Sequence, residues 1–376
     1  MSPNPRTLPA VALFVRTFSP YGGVERSCWQ FYHYLRGRGV SVQVYCGRND
    51  SEETGPHIHL LPLWRPGRFL KTLSFYLAAG RAVRGLAPGT ASLSYATMAG
   101  CTVFRSGGAH LDFVLGTLAG YPTRAARLWK ALRRAANPVN WLQPVLDRII
   151  YHHPDTRQII AVSGLVAEEV RRRFSLAPER VAVIPNGVDT ARFNREIARE
   201  LREASRAALG LSPGHTALGF CSTNFELKGL SPLIKALAQM PENFELLVAG
   251  QRDPSRYKRQ AEALGIGPRV RFLGRVQDMP AFYAALDVFC HPSFYDTFGN
   301  VLAEALAMGR PVVTTSRVGA SDLVQPGENG FLADPLDTAA LAGAVVRAAG
   351  LGLDVLAQVE DNEVVFARYL ELLAKS

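Results

Sequence analysis

The stretch Tyr295–Pro311 reads YDTFGNVLAEALAMGRP, and it sets two acids, Asp296 and Glu304, eight positions apart across a Phe-Gly-Asn turn that opens a short helix. Asp296 precedes the helix, where a carboxylate accepts hydrogen bonds from sugar hydroxyls. The amides of Phe298, Gly299 and Asn300 fall at the helix N-terminus, whose unpaired N–H groups suit a diphosphate. Glu304 lies six residues after Phe298, within reach of the vicinal hydroxyls of a ribose whose phosphates rest on the first turn. An amphipathic helix with a surface Glu would show the same spacing, because acids are common on exposed helix faces. The segment then runs on into an apolar strand over Pro311–Thr315, so it reads loop, helix, strand.

That unit recurs along the chain. Short apolar runs alternate with helical patterns, the signature of parallel sheets covered by helices on both faces. Strands are expected at Val11–Val15, Val40–Cys46, Ile58–Leu61, Ser92–Tyr95, Thr102–Arg105, Gln158–Val162 and Val181–Ile184. Helices over Val24–Leu35, Phe69–Leu86 and Val166–Phe174 accompany them. At Pro185–Asp189 the sequence PNGVD interrupts the pattern, and with the charged helical segment Arg192–Leu209 it reads as a domain connection. The alternation restarts with strands at Ala217–Phe220, Leu246–Ala249, Val270–Leu273 and Val288–His291, helices at Leu230–Leu237 and Ser255–Leu264, and a last helical segment, Val355–Ala374. The expected fold is α/β: two doubly wound Rossmann-like domains facing a central cleft, residues 1–185 and 186–354, with a helical segment 355–376 packing on the first domain. Ligands of such folds bind at the carboxyl ends of the strands.

Composition bounds the partners. At 376 residues the chain exceeds the size at which one core keeps growing. Residues 1–185 carry 23 Lys and Arg against 10 Asp and Glu, a net of +13, while residues 186–376 carry 19 against 22, a net of −3. Such asymmetry points to an anionic partner of the first half, whether nucleic acid, an acidic membrane surface or a phosphorylated acceptor. Five dispersed cysteines without CxxC or His spacing argue against a disulfide framework or a zinc site and fit a reducing cytoplasm. The chain shows no apolar run of the roughly 18–20 residues that span a bilayer, and MSPNPRTLPA has no hydrophobic signal core.

Other segments gather around the expected cleft. SPYGGVER (Ser19–Arg26) follows the first strand, and Gly22 and Gly23 let the backbone approach a phosphate or sugar closely, although two turn glycines are as often structural. NFELKGL (Asn224–Leu230) sets Lys228 beside a glycine just after a strand, where an ammonium can neutralise charge on a departing diphosphate. His110, in FRSGGAHLDF, follows a strand and a Gly-Gly turn and is placed to donate to a sugar hydroxyl; a packed, hydrogen-bonded histidine is the alternative.

The succession GGVER, PNGVD, ELKGL and DTFGNVLAEALAMGRPVV, in this order and at these separations, resembles the retaining glycosyltransferases of the GT-B fold in the large family four. The resemblance covers nearly the whole chain, and RSGGAH with the basic stretch after it is similar to bacterial lipopolysaccharide core sugar transferases. It implies a nucleotide-diphosphate sugar donor with Glu304 on the ribose, Asp296 on the sugar, the Phe298–Asn300 amides on the diphosphate and Lys228 on the leaving phosphates. His110 and Gly22–Gly23 would face the same sugar. It also implies a hexosyl transfer that needs no metal and no cofactor, because helix dipole and cations stabilise the departing charge, and front-face attack by the acceptor hydroxyl with no protein nucleophile. Two departures stand out. The family usually has Glu where Asp296 stands, and commonly Arg where Thr223 stands, so Arg252 or Arg275 is the candidate replacement base.

The basic half has a feature of its own in Thr123–Asn137, TRAARLWKALRRAAN. At 100° per residue Leu128, Trp129, Ala131, Leu132, Ala135 and Ala136 share one side, and Arg127, Lys130, Arg133 and Arg134 the other. This is the pattern of a helix lying on an anionic membrane, and equally of an amphipathic helix packed on its own domain. The expected partners are therefore a nucleotide sugar, a glycolipid acceptor and the inner face of the cytoplasmic membrane, for a peripheral cytoplasmic enzyme. A nucleotide-sugar epimerase would use the same kind of cleft. The basic pI of about 9.6 also fits nucleic acid, yet no zinc finger or RNP-like aromatic segment accompanies it.

Overall fold

The computed structural model describes residues 10–64, 67–121 and 123–375, so all of MSPNPRTLPA but its last residue lies outside the described residues. The chain divides into two compact units. One comprises Met1–Val114, Leu128–Pro185 and Glu363–Ser376, the other Leu115–Arg127 and Asn186–Asn362.

Among the described residues, the sheet of the first unit contains β1 (Val11–Phe18), β2 (Val42–Asn49), β3 (Ile58–Leu60), β4 (Ala91–Ser94), β5 (Val103–Ser106), β6 (Gln158–Ala161) and β7 (Val181–Val183). Their order is β3-β2-β1-β4-β5-β6-β7, and every pairing is parallel. Central strand β1 shows why its first five residues, Val11–Val15, are all apolar. Val11, Leu13 and Val15 enter one hydrophobic cluster, while Ala12 and Phe14, pointing the other way, enter a second.

The last helix, Asn362–Lys375, buries Val365, Phe366, Tyr369, Leu370 and Leu373 in the first of these clusters, with the rings of Phe31 and Phe366 5.3 Å apart. It begins seven residues later than the sequence pattern suggests. The preceding residues are held extended against the turn after Pro185: Val188 N–H donates to Glu360 O at 2.9 Å and Asn362 N–H to Val188 O at 3.0 Å. Asp361 Oδ2 accepts Thr190 N–H at 3.1 Å. Gly187 permits this approach, since a Cβ there would stand 2.8 Å from the Asn362 backbone.

The second unit holds β8 (Thr216–Cys221), β9 (Phe244–Ala249), β10 (Val270–Gly274), β11 (Val288–His291), β12 (Val312–Thr314) and β13 (Gly330–Leu332), again parallel, in the order β10-β9-β8-β11-β12-β13. The order reverses between β8 and β11. Loops leaving the carboxyl ends of those two strands therefore meet at the topological switch point, where ligands of such sheets bind.

The charged segment after PNGVD is no mere connection. Its helix, Arg195–Ala208, is capped by Asn194 Oδ1 accepting Ile197 N–H at 2.9 Å, and Arg206 pairs with Asp287 at 3.0 Å, which fixes the helix to the second unit. Helices His110–Ala119, Val139–Tyr151, Met279–Ala285 and Thr338–Gly350, with β13, are elements that the sequence pattern did not disclose. All five cysteines are free, and Cys28, Cys46, Cys101 and Cys290 are buried. No described helix is long and apolar enough to cross a membrane. Helix Arg124–Ala135 buries none of its residues, and its Leu128, Trp129 and Leu132 are 63%, 57% and 61% exposed.

Candidate active site

The loops after β8 and β11 are locked together by their backbones. Leu227 O accepts the N–H of Phe294 at 3.0 Å and the hydroxyl of Ser293 at 3.3 Å. Gly229, with φ +80°, lies against Pro292 O so closely that a Cβ would overlap it. A glycine is required there twice over, by dihedral and by space. The consequence is that Lys228 is delivered onto the acidic loop, its Nζ 2.7 Å from Asp296 Oδ2 and 3.1 Å from Tyr295 O.

Asp296 Oδ2 receives a second donor, His291 Nε2 at 2.9 Å, from the last residue of β11. The two side chains of the ion pair are 17% and 18% exposed, and His291 is buried. Burial would raise the Asp296 pKa, but the Lys228 ammonium and the His291 ring overcome it and hold the carboxyl well below the usual carboxylate range. Burial lowers the His291 pKa, so its ring is neutral, and with Nε2–H given to a carboxylate its buried Nδ1 is a bare acceptor without a hydrogen-bond partner among the described residues.

The helix that follows, Asn300–Ala307, is entered through Gly299 at φ +92°, where a Cβ would stand 2.8 Å from Val318 Cγ1. Two parallel contacts hold the turn: Asp296 N–H donates to Arg317 O at 2.9 Å and Ala320 N–H to Phe298 O at 2.7 Å. The Phe298 amide is turned toward Asp296 Oδ1 at 3.4 Å, so of the expected anion-binding amides Gly299 and Asn300 are the ones left to the helix start. Asn300 Oδ1 accepts from Asn186 Nδ2 at 2.8 Å, which ties the PNGVD turn to the same helix. One turn on, Glu304 Oε2 accepts from the Tyr283 hydroxyl at 2.9 Å. Burial first and the Glu304 carboxylate second push the Cys221 thiol up to about 12, which sets Glu304 beside the end of β8.

Lys228, Asp296, Phe298, Gly299, Asn300 and Glu304 are thus gathered at the switch point of the second sheet. Thr223 and Arg252 are exposed at its border, joined by Arg252 Nε donating to Thr223 O at 2.8 Å, and Arg275 is exposed just after β10. Gly22, Gly23 and His110 belong to the first unit. Gly22 (φ +91°) precedes helix Gly23–Gly37, and the Glu25 carboxylate lies 2.6 Å from where its Cβ would be. His110 opens its helix with its N–H on Asp147 Oδ2 at 2.8 Å and its Nε2 2.9 Å from Asn140 Oδ1. Burial raises the Asp147 carboxyl to about 6, and Asp112 beside it pairs with Arg173. Among the described residues no group of three His, Cys, Asp or Glu is placed to hold a metal ion.

Sequence reasoning missed His291, Tyr283, Asn186 and Asn140. A signal existed for His291, a polar residue closing the apolar strand VFCH directly before the acidic loop. The others lie in turns and helices distant in sequence from what they hold.

Sequence models of two families match the chain, that of Glycosyltransferase Family 4 over residues 21–192 and that of Glycosyl transferases group 1 over residues 215–350. The lipopolysaccharide glucosyltransferase WaaG of Escherichia coli K12 is 28% identical over 177 residues, covering 46% of this chain and 47% of that protein. A D-inositol 3-phosphate glycosyltransferase of a Mycobacterium species (strain KMS) is 33% identical over 223 residues, 57% of this chain and 49% of that protein. The chain spans about half the length of the curated relatives it matches. In three dimensions it resembles the crystal structure of WaaG with a TM-score of 0.75 at 21% identity, covering 97% of this chain and 94% of that one. Anabaena HepE in complex with UDP-glucose gives 0.68 at 19% identity, with coverage of 98% and 100%. These likenesses establish a GT-B fold of two Rossmann-like domains.

Proposed function

We propose that this chain, which the models of Glycosyltransferase Family 4 and Glycosyl transferases group 1 match over residues 21–192 and 215–350, moves a hexose from a nucleotide-diphosphate sugar to a hydroxyl of a membrane-associated glycolipid, of the lipopolysaccharide core type, with retention and without a metal. The observation that carries this reading is the ion pair of Lys228 and Asp296, seated on a neutral His291 at the start of the Asn300–Ala307 helix. An ammonium has three protons; one faces Asp296, one Tyr295 O, and the third is directed to the diphosphate together with the Gly299 and Asn300 amides. Asp296 Oδ1 accepts from a sugar hydroxyl, and Glu304, oriented by Tyr283, accepts from the ribose. Arg252, held at the Thr223 loop, is the preferred substitute for the base that the family places at Thr223.

In the reaction the acceptor oxygen forms its bond to the anomeric carbon on the face from which the phosphate leaves. The bond from that carbon to the phosphate oxygen breaks, and the acceptor proton passes to this departing oxygen. The protein stabilises the charge on the diphosphate and supplies no nucleophile. WaaG acts on lipopolysaccharide by name and HepE is described with UDP-glucose, which supports this acceptor class and makes UDP-glucose the first donor to try.

The membrane part of the proposal draws on helix Arg124–Ala135. Its apolar side chains are exposed rather than packed, and Arg133 lies over the Trp129 ring at 4.6 Å, so cation and aromatic ring are presented together, as at a headgroup boundary. These exposed side chains support a reading in which the enzyme sits peripherally on the cytoplasmic membrane. The test of the whole reading is incubation with a panel of sugar nucleotides, measuring free nucleoside diphosphate with and without a glycolipid acceptor. Release from one donor, accelerated by acceptor, is expected; no release from any donor overturns the proposal, and conversion of a donor to its epimer would identify an epimerase instead.

A further inference from the structure

The ring of His110 is held by a side chain that is itself held. Asn140 Nδ2 lies 2.7 Å from the carbonyl oxygen of Arg134, and Asn140 Oδ1 lies 2.9 Å from His110 Nε2. A backbone carbonyl only accepts, so the amide nitrogen of Asn140 must face Arg134 and its oxygen must face the ring. An amide oxygen also only accepts. His110 Nε2 must therefore carry a proton.

The other charges near the ring fix its state. Burial lowers the His110 pKa, the Asn140 contact raises it and Arg134 lowers it, with a net shift downward, so the ring is neutral at physiological pH. Asp147 takes the backbone N–H of His110, and Asp112 is occupied by Arg173. A neutral imidazole protonated at Nε2 has its lone pair at Nδ1.

We propose that Asn140 is a positioning residue that locks His110 in the Nε2–H tautomer, so that His110 offers substrate hydroxyls an acceptor at Nδ1 and not a donor. This rests on the reading of the protein as a sugar transferase, and it reverses the sense of the hydrogen bond expected from sequence. It also gives Asn140 a definite role, in which the amide reads the acceptor-only carbonyl of Arg134 with one end and transmits that polarity to the ring with the other.

The experiment is side-chain ¹⁵N NMR of the full-length protein at pH 7.5 without substrate, with the His110 signals among eight histidines assigned by their loss in His110→Gln. A protonated Nε2 and an unprotonated Nδ1 are expected. Asn140→Ala should give a mixture of tautomers and lower kcat for nucleoside diphosphate release about tenfold, the size of one hydrogen bond, with the donor KM unchanged. Asn140→Asp keeps an acceptor toward Nε2 and adds a charge, so it should keep the tautomer while moving the acid limb of the kcat profile to higher pH. An Nδ1–H tautomer or a charged ring in the wild-type protein overturns the lock, and so does an Asn140→Ala protein with wild-type tautomer. An altered tautomer with unaltered kcat refutes the positioning role. The NMR readout needs no turnover, so failure to process any sugar nucleotide would remove the transferase reading while leaving the tautomer result to stand separately.

Discussion

Replacing Lys228 by Met keeps all but one atom of the side chain's length and removes its charge, leaving Asp296 with a neutral donor, His291, and a long contact to Phe298 N–H. Two unit charges 2.7 Å apart attract by about 6 kcal/mol at an effective dielectric constant of 20, of which desolvation cancels a large share. Removal of one member of a buried pair costs about 3–5 kcal/mol; with His291 retained and both groups slightly exposed, Lys228→Met should cost about 3 kcal/mol at pH 7.5. The pH dependence has a definite sign. In the wild-type protein the Asp296 pKa is depressed, so its contribution is present above the unfolded value near 3.8 and lost as pH falls through the folded value. Without the ammonium, burial, the largest influence, pushes that carboxyl up, and the variant is penalised at neutral pH and relieved as pH falls toward 4. Lys228→Met/Asp296→Asn has no buried charge and should recover most of the loss, while all these variants lose at least about 10²-fold in kcat/KM. The assay is urea unfolding followed by far-UV circular dichroism, because the four tryptophans, Trp29, Trp64, Trp129 and Trp141, belong to the first unit and their fluorescence would miss the second. Equal stability of Lys228→Met and wild type at pH 7.5, or no recovery in the double variant, would refute the electrostatic argument; recovered activity in the double variant would remove the pair from catalysis.

Glu304→Gln should lower kcat/KM for the donor by on the order of 10²-fold with the fold intact, and wild-type turnover would take the ribose contact away from it. Asp296→Glu should keep partial activity and Asp296→Asn lose most; comparable rates would show that the carboxylate merely caps the turn, since Asn caps about as well as Asp. Turnover should survive excess EDTA, and loss restored by Mg²⁺ or Mn²⁺ would contradict diphosphate binding by helix amides and Lys228. The protein should sediment with anionic vesicles, weakly with neutral ones, and be partly released as the Debye length falls from about 10 Å at 0.1 M to about 3 Å at 1 M salt. Lys130→Gln and Arg133→Gln together should strongly weaken this without affecting nucleotide release in the absence of acceptor; undiminished sedimentation would assign the basic face elsewhere.

The sequence by itself determined the class of fold and the segments that build the candidate site. Parallel strands covered on both faces are near-continuous apolar runs, and β1, β8 and β11 are legible for that reason. The glycine at 299 and the acids at 296 and 304 are local features of one turn and one helix, so their spacing could be read directly. The start of the last helix could not. Residues 355–361 continue a helical pattern, but the Glu360 carbonyl accepts from Val188 N–H and the Asp361 carboxylate from Thr190 N–H, partners about 170 positions away in the chain. Only the tertiary structure decided that Lys228 and Asp296 form an ion pair, because β8 and β11 are not consecutive strands and become neighbours through the reversal of sheet order. The same holds for His110. Its ring chemistry is set by Asn140, thirty positions away on a helix that the sequence pattern did not disclose, and a hydrogen bond between side chains on different helices leaves no periodic trace in sequence.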